Sequence, residues 1–216
     1  MICNIFGKAV TKWTVIGLPE YKNYDTEINR VELATVALAW KNSQGKGKEE
    51  EEALRSLEDL TARIARQEDR FTLGWIYNAS GGAITLLDRR NGSGDLAAST
   101  LCPLRIENGQ WGVFVHKQIY SESSGAVVYE GFDYLNSTTS YWCVAWKNIS
   151  RLSSAQVHVK IGRDVDWCEN EWNNVYKALE RCGSLHRTKE EGWRSVISAS
   201  PGPHVVFEAL LTMKHL

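Results

Sequence analysis

Near residue 70 the spacing of apolar residues changes from a period close to 3.6 to a period of 2. That change constrains the fold more than any other feature of the chain. Before it, Ile28, Val31, Val36, Ala39 and Trp40 share one side of a helical projection from Thr26 to Lys41, with Thr26 as the expected N-cap. Two glycines in Asn42-Ser-Gln-Gly-Lys-Gly-Lys break this helix. A second helix is expected from Glu49 to Arg66. Its acidic first turn and its closing Arg63 and Arg66 both suit the helix dipole, and Leu54, Leu57, Leu60 and Ile64 form its apolar stripe. The two segments predict a helical hairpin behind an irregular lead-in over residues 1–24.

After residue 70 the pattern is that of strands. Phe71 to Tyr77 and Ala83 to Leu87 flank the turn Asn78-Ala-Ser-Gly-Gly. Further strands are expected at 104–106, 110–117, 126–129, 141–146, 156–161, 193–198 and 205–213. Alternation places Trp111, Val113 and Val115 on one face of their strand, and Gln110, Gly112, Phe114 and His116 on the other. Tyr141 to Trp146 is apolar on both faces, which predicts a central strand covered on both sides. In 156–161, Val157, Val159 and Ile161 should point inward, and His158 and Lys160 outward. Residues 89–95 and 184–192 read as polar loops. One helix interrupts the series near 167–181. Asp166 and Glu169 give it a capping-box-like start, Trp172, Val175, Tyr176 and Leu179 its stripe, and Gly183 its end. The expected fold is α+β and mainly β: an antiparallel β sandwich over 70–216, with the lead-in and helical hairpin of 1–69 packed on it.

Charge and cysteine content narrow the functions. A net charge of −1 with no basic stripe argues against nucleic-acid binding, which needs clustered Lys and Arg. The five cysteines match no zinc or redox spacing, and no CxxC occurs. The N-terminus lacks the apolar core of a signal peptide, and no apolar run is long enough to span a bilayer. Reduced thiols in the cytoplasm or nucleus are therefore expected. The sequons at Asn78, Asn91, Asn136 and Asn148 then read as turn chemistry.

Nothing in the chain spells a catalytic centre. G-x-S-x-G, H-E-x-x-H and P-loop patterns are all missing. The histidines at 116, 158, 186 and 204 show no ligand spacing, so neither a metal nor a cofactor is expected. The acidic segment from Gly162 to Trp172 lacks EF-hand order and reads as helix capping. Cys143, between two tryptophans, reads as an inert core thiol. His116 is the one weak catalytic candidate, a base that would need a carboxylate to orient its second nitrogen. Of the nine tryptophans, Trp111, Trp142, Trp146, Trp167 and Trp172, together with His116, are the candidate ligand-binding residues, because an indole joins a large apolar face to one N–H donor.

Several phrases are similar to a known family. They are Ile5-Phe-Gly-Lys-Ala-Val-Thr, Leu18-Pro-Glu-Tyr-Lys, Ile76-Tyr-Asn-Ala-Ser-Gly, Asn108-Gly-Gln-Trp-Gly-Val-Phe-Val-His, Ser124-Gly-Ala-Val-Val-Tyr and Tyr141-Trp-Cys-Val-Ala-Trp. Together they resemble the plant 23 kDa jasmonate-induced protein family, and Asn108 to Tyr129 is the most specific block. The resemblance implies a plant protein that accumulates in response to jasmonate or stress. It brings no catalytic residues with it. The rhythm of short strands is also similar to the sandwiches of aegerolysins and actinoporins, an analogy of fold only. The expected function is a non-enzymatic module that binds a glycan, a lipid headgroup or a small plant metabolite through an aromatic-lined surface. Two alternatives stay open: an enzyme of plant specialised metabolism with its site around His116, and a protein that self-associates through the helical hairpin.

Overall fold

The computed structural model describes residues 4–22, 27–42, 55, 59, 62, 70–97, 101–133, 138–149, 154–163, 167–190, 192–200 and 204–216. Two sheets stack face to face. The first has the order β1 (Ile5–Phe6), β6 (Trp111–Lys117), β2 (Phe71–Ala79), β12 (His204–Met213), β11 (Trp193–Ser200), β10 (Leu185–Glu190), with β4 (Asp95–Leu96) also on β6. The second has the order β5 (Arg105–Ile106), β3 (Ile84–Ser93), β7 (Glu122–Asp133), β8 (Thr138–Ile149), β9 (Ser154–Arg163). Every pairing is antiparallel except that of β12 with β2, which joins the last strand to the first long one in parallel. The expected sandwich is what forms.

Alternation along each strand produces three cores. Ile76, Phe114 and Phe207 of the first sheet meet Val144, Trp146 and Val159 of the second between the sheets. Gly74 lets the two phenyl rings of the neighbouring strands close over β2. A β-carbon there would lie 2.5 Å from the Phe114 ring and 2.7 Å from that of Phe207, so the two rings occupy the space a side chain would need. On the outer face of the first sheet, Leu73, Tyr77, Trp111 and Val113 pack against Val15 of α1 (Lys12–Ile16) and Val36 and Ala37 of α2 (Arg30–Asn42). On the outer face of the second, Ala126, Val128, Cys143 and Ala145 receive Trp172, Val175 and Leu179 of α3 (Glu169–Leu179). β8 is covered on both sides, as its sequence predicts. The order of layers is helix, sheet, sheet, helix.

Several details differ from expectation. The lead-in is not irregular throughout. Ile5–Phe6 adds a strand to β6, and Thr11 caps α1 in a reciprocal bond pair with Thr14. α2 begins at Arg30, where the Asn29 side chain accepts from the Val31 N–H at 2.7 Å and Glu32 accepts from the Asn29 N–H at 2.9 Å. The expected cap, Thr26, lies outside the described residues. So does most of the expected second helix, of which Arg55, Asp59 and Ala62 are described, each helical and exposed. Asp166 and the Asn136 sequon are outside as well. α3 starts at the N-cap Cys168 without a side-chain cap bond.

The two expected polar loops are strands. β3 runs on to Ser93, paired with β7 through two register shifts, and β10 pairs with β11 over its whole length. Both are margins. β10 ends its sheet, and among the described residues β3 is paired on its outer side with the short β5 at Ile84 and Thr85, followed by a bond from the Leu86 N–H to the Leu104 carbonyl. Polar residues guard an exposed edge, so the composition of an edge strand imitates that of a loop.

Candidate functional site

The residues singled out from the sequence mostly lie in the interior. Trp142 and Trp146 are buried between the sheets, where Trp142 Nε1 donates to Ser195 Oγ at 2.9 Å and Trp146 Nε1 to Ser123 Oγ at 3.3 Å. Trp146 stacks on Phe207 at 5.5 Å and tilts against Phe114 at 5.2 Å. Trp111 is buried under α2, 4.7 Å from Tyr77, with the Lys41 ammonium 5.2 Å over its ring. Trp172 is buried under α3, and Trp167 lies half-buried 5.1 Å from it.

His116 is buried as well. Its Nδ1 meets Ser123 Oγ at 2.8 Å, and its ring edge meets Trp146 at 5.2 Å. Burial holds its pKa down to about 4, while the charge of Asp95 pulls weakly upward. Its partner is a hydroxyl rather than the carboxylate a general base would need. An aromatic surface made of Trp111, Trp142, Trp146, Trp172 and His116 is therefore corrected by the structure. Each of these indoles gains most from burial. Alternation aims Trp142 and Trp146 at the opposite sheet, where hydroxyls satisfy their N–H groups.

Two open clefts flank the sandwich instead. The first, of about 390 Å³, lies at the start of α2 against the turn between β2 and β3. Ile28, Leu33, Gly81 and Gly82 line it together with Glu27 and Asn29. The Arg30 guanidinium anchors it, with Nε donating to Ser80 O at 2.7 Å and Nη1 to Phe132 O at 2.5 Å. Gly81 has φ +81°, and a β-carbon there would meet the Arg30 carbonyl at 2.3 Å, so only glycine lets the turn approach the helix. Lys12 of α1 reaches Glu27 at 3.4 Å. Next to Lys12, Trp13 is 80% exposed, and Ile16 shares its side of α1 with 40% exposure. Sequence reasoning passed over Trp13. The available signal was a tryptophan in the short segment ahead of the first long helix, outside the alternating strands.

The second cleft, of about 430 Å³, opens between α3, β9 and β10. His158 and Lys160 project into it from β9, Glu171 from α3 and His186 from β10. Lys160 is paired with Glu171. The imidazoles of His158 and His186 are 4.5 Å apart, and Cys182 Sγ lies 3.6 Å from His158 Nδ1. Burial lowers the pKa of both histidines, that of His158 to about 4, and raises that of the Cys182 thiol. Cys182 and His186 lie close in the chain, but no spacing ties His158 to them, because it joins them only through the sheet.

No helix among the described residues is long and apolar enough to cross a membrane. Comparison with known proteins gives the fold and geometry a context. The chain is 29% identical over 189 residues to the 23 kDa jasmonate-induced protein of Hordeum vulgare, covering 86% of this chain and 85% of that one. Its structure matches the crystal structure of the lipid binding protein Nakanori with a TM-score of 0.80 and 23% identity, over 96% of this chain and 99% of the other. The Nakanori-like protein family profile matches residues 6–214, nearly the whole chain. By that match, the chain that folds into this helix-flanked sandwich belongs to the Nakanori-like protein family.

Proposed function

We propose that this chain is a non-enzymatic lipid-headgroup-binding protein, produced in response to jasmonate or stress, that uses the helix-covered face of its first sheet. The observation that carries this reading is Trp13, 80% exposed on α1, the helix whose Lys12 pairs with Glu27 in the lining of the first cleft. An indole suits the boundary between headgroups and acyl chains, because its ring is apolar while its N–H keeps a polar partner. Ile16 extends the same apolar side of α1, and the Lys12–Glu27 pair ties that helix to the edge of the cleft. The jasmonate-induced barley relative supports the jasmonate part, and the lipid binding protein that shares the fold supports the lipid part.

Co-sedimentation with vesicles that differ only in headgroup tests the reading. The wild type should bind at least one composition, and Trp13→Ala should bind it on the order of fivefold more weakly with its melting temperature unchanged. Equal binding by the two proteins, or no binding to any composition, would remove the assignment.

A further inference from the structure

The cleft beside α3 holds a group of side chains that lipid binding does not use. His158 on β9, Cys182 just beyond α3 and His186 on β10 each offer a ligand atom, and these atoms all lie within 4.8 Å of one another. We propose that His158, Cys182 and His186 form a zinc site with three protein ligands and a fourth position open to the cleft.

The distances support this. A tetrahedral zinc with ordinary Zn–N and Zn–S bonds holds nitrogen and sulfur about 3.6 Å apart and two nitrogens about 3.3 Å apart. Cys182 Sγ and His158 Nδ1 already stand at 3.6 Å. The other two separations are at most 4.8 Å. Cys182 and His186 are separated by three residues, a short chelate loop of the kind structural zinc sites use. Two imidazoles and one thiolate also select a borderline-soft cation over calcium or magnesium.

The electrostatics are compatible. Zinc takes the neutral form of an imidazole, and burial at this cleft disfavours the charged form of both rings. Lys160, which lines the same cleft, is paired with Glu171. Zinc must displace the Cys182 proton, which now points to the Ala178 carbonyl at 3.3 Å. It must also take His186 away from the Val159 N–H, which donates to His186 Nδ1 at 3.2 Å on the free side of β9. Two hydrogen bonds, from the Cys182 thiol to Ala178 and from the Val159 N–H to His186, are exchanged for metal bonds. The ion would tie α3, the margin of the second sheet and the margin of the first at one point.

Chelator-treated full-length protein titrated with zinc should take up one equivalent. His158→Ala, Cys182→Ser and His186→Ala should each weaken uptake by about 100-fold or more. Cobalt(II) should give intense visible bands and a thiolate charge-transfer band in the near ultraviolet, the latter lost in Cys182→Ser. Zinc should raise the melting temperature of the wild type and leave that of each variant unmoved. If His186 only caps the margin of β9, His186→Ala lowers the melting temperature while His158→Ala and Cys182→Ser keep the affinity of the wild type. That result, or a cobalt spectrum without a thiolate band, overturns the proposal.

Discussion

His116 and His158 have the same displaced pKa, about 4, and burial is the first cause at both. Their surroundings differ. His116 lies between the two sheets, bonded to a serine hydroxyl and walled by Trp146. His158 lies at a margin, facing a thiol and a second imidazole across a cleft of about 430 Å³. A lowered histidine pKa reports that a ring has left water, which happens in any well-filled core. A site needs two further things, convergence with other reactive groups and access from solvent, and only the margin supplies both.

The largest test of this contrast removes mass from the sealed region. Trp142→Ala deletes a fully buried indole and its bond to Ser195, and should cost about 3–5 kcal/mol in urea unfolding. A loss below about 1 kcal/mol would mean that the centre is loosely filled and that the contrast fails.

A smaller effect follows from titration of His116. Its native pKa lies below the unfolded value near 6.5, so the unfolded chain takes up a proton that the native state refuses. Stability is complete above about pH 6.5 and declines as pH falls toward 4. Between pH 7 and pH 5 the wild type should lose about 2 kcal/mol more than His116→Gln, measured by urea unfolding at the two pH values. Parallel losses in the two proteins would show that His116 is solvated after all.

The smallest effect is chemical. Burial pushes the Cys102 thiol up to about 12 and that of Cys143 higher still, whereas Cys168 is exposed at the start of α3. Among these three, a thiol reagent should modify Cys168 in the native protein and reach Cys102 and Cys143 only after unfolding, as peptide mapping would show. Native labelling of Cys143 would place the contact between α3 and β8 in question.

The parts of the fold legible in the sequence were those where burial alone sets the pattern. β8 read correctly because Trp142, Val144 and Trp146 face the opposite sheet while Cys143 and Ala145 face α3, so both of its faces are apolar. The stripe of α3 read correctly for the same reason. β10 and the far half of β3 did not, because an edge strand is kept polar against unwanted pairing and so resembles a loop. The site reading failed at the tryptophans because a sequence gives no exposure. Trp142, at 0%, and Trp13, at 80%, are the same residue type.

What the sequence by itself determined is the class of fold. The change of period near residue 70, and the alternation that follows it, admit little besides a sandwich carrying helices, because apolar faces of period 2 must be buried against one another. Tertiary structure alone decided which residues meet. The parallel pairing of β12 with β2, the nearness of His158 to Cys182 and His186, and the exposure of Trp13 depend on which strands become neighbours and which become margins. Side-chain period is a property of a segment. Convergence is a property of the whole packed chain, and residues 24 positions apart, such as His158 and Cys182, approach only after the sheets and α3 have closed around them.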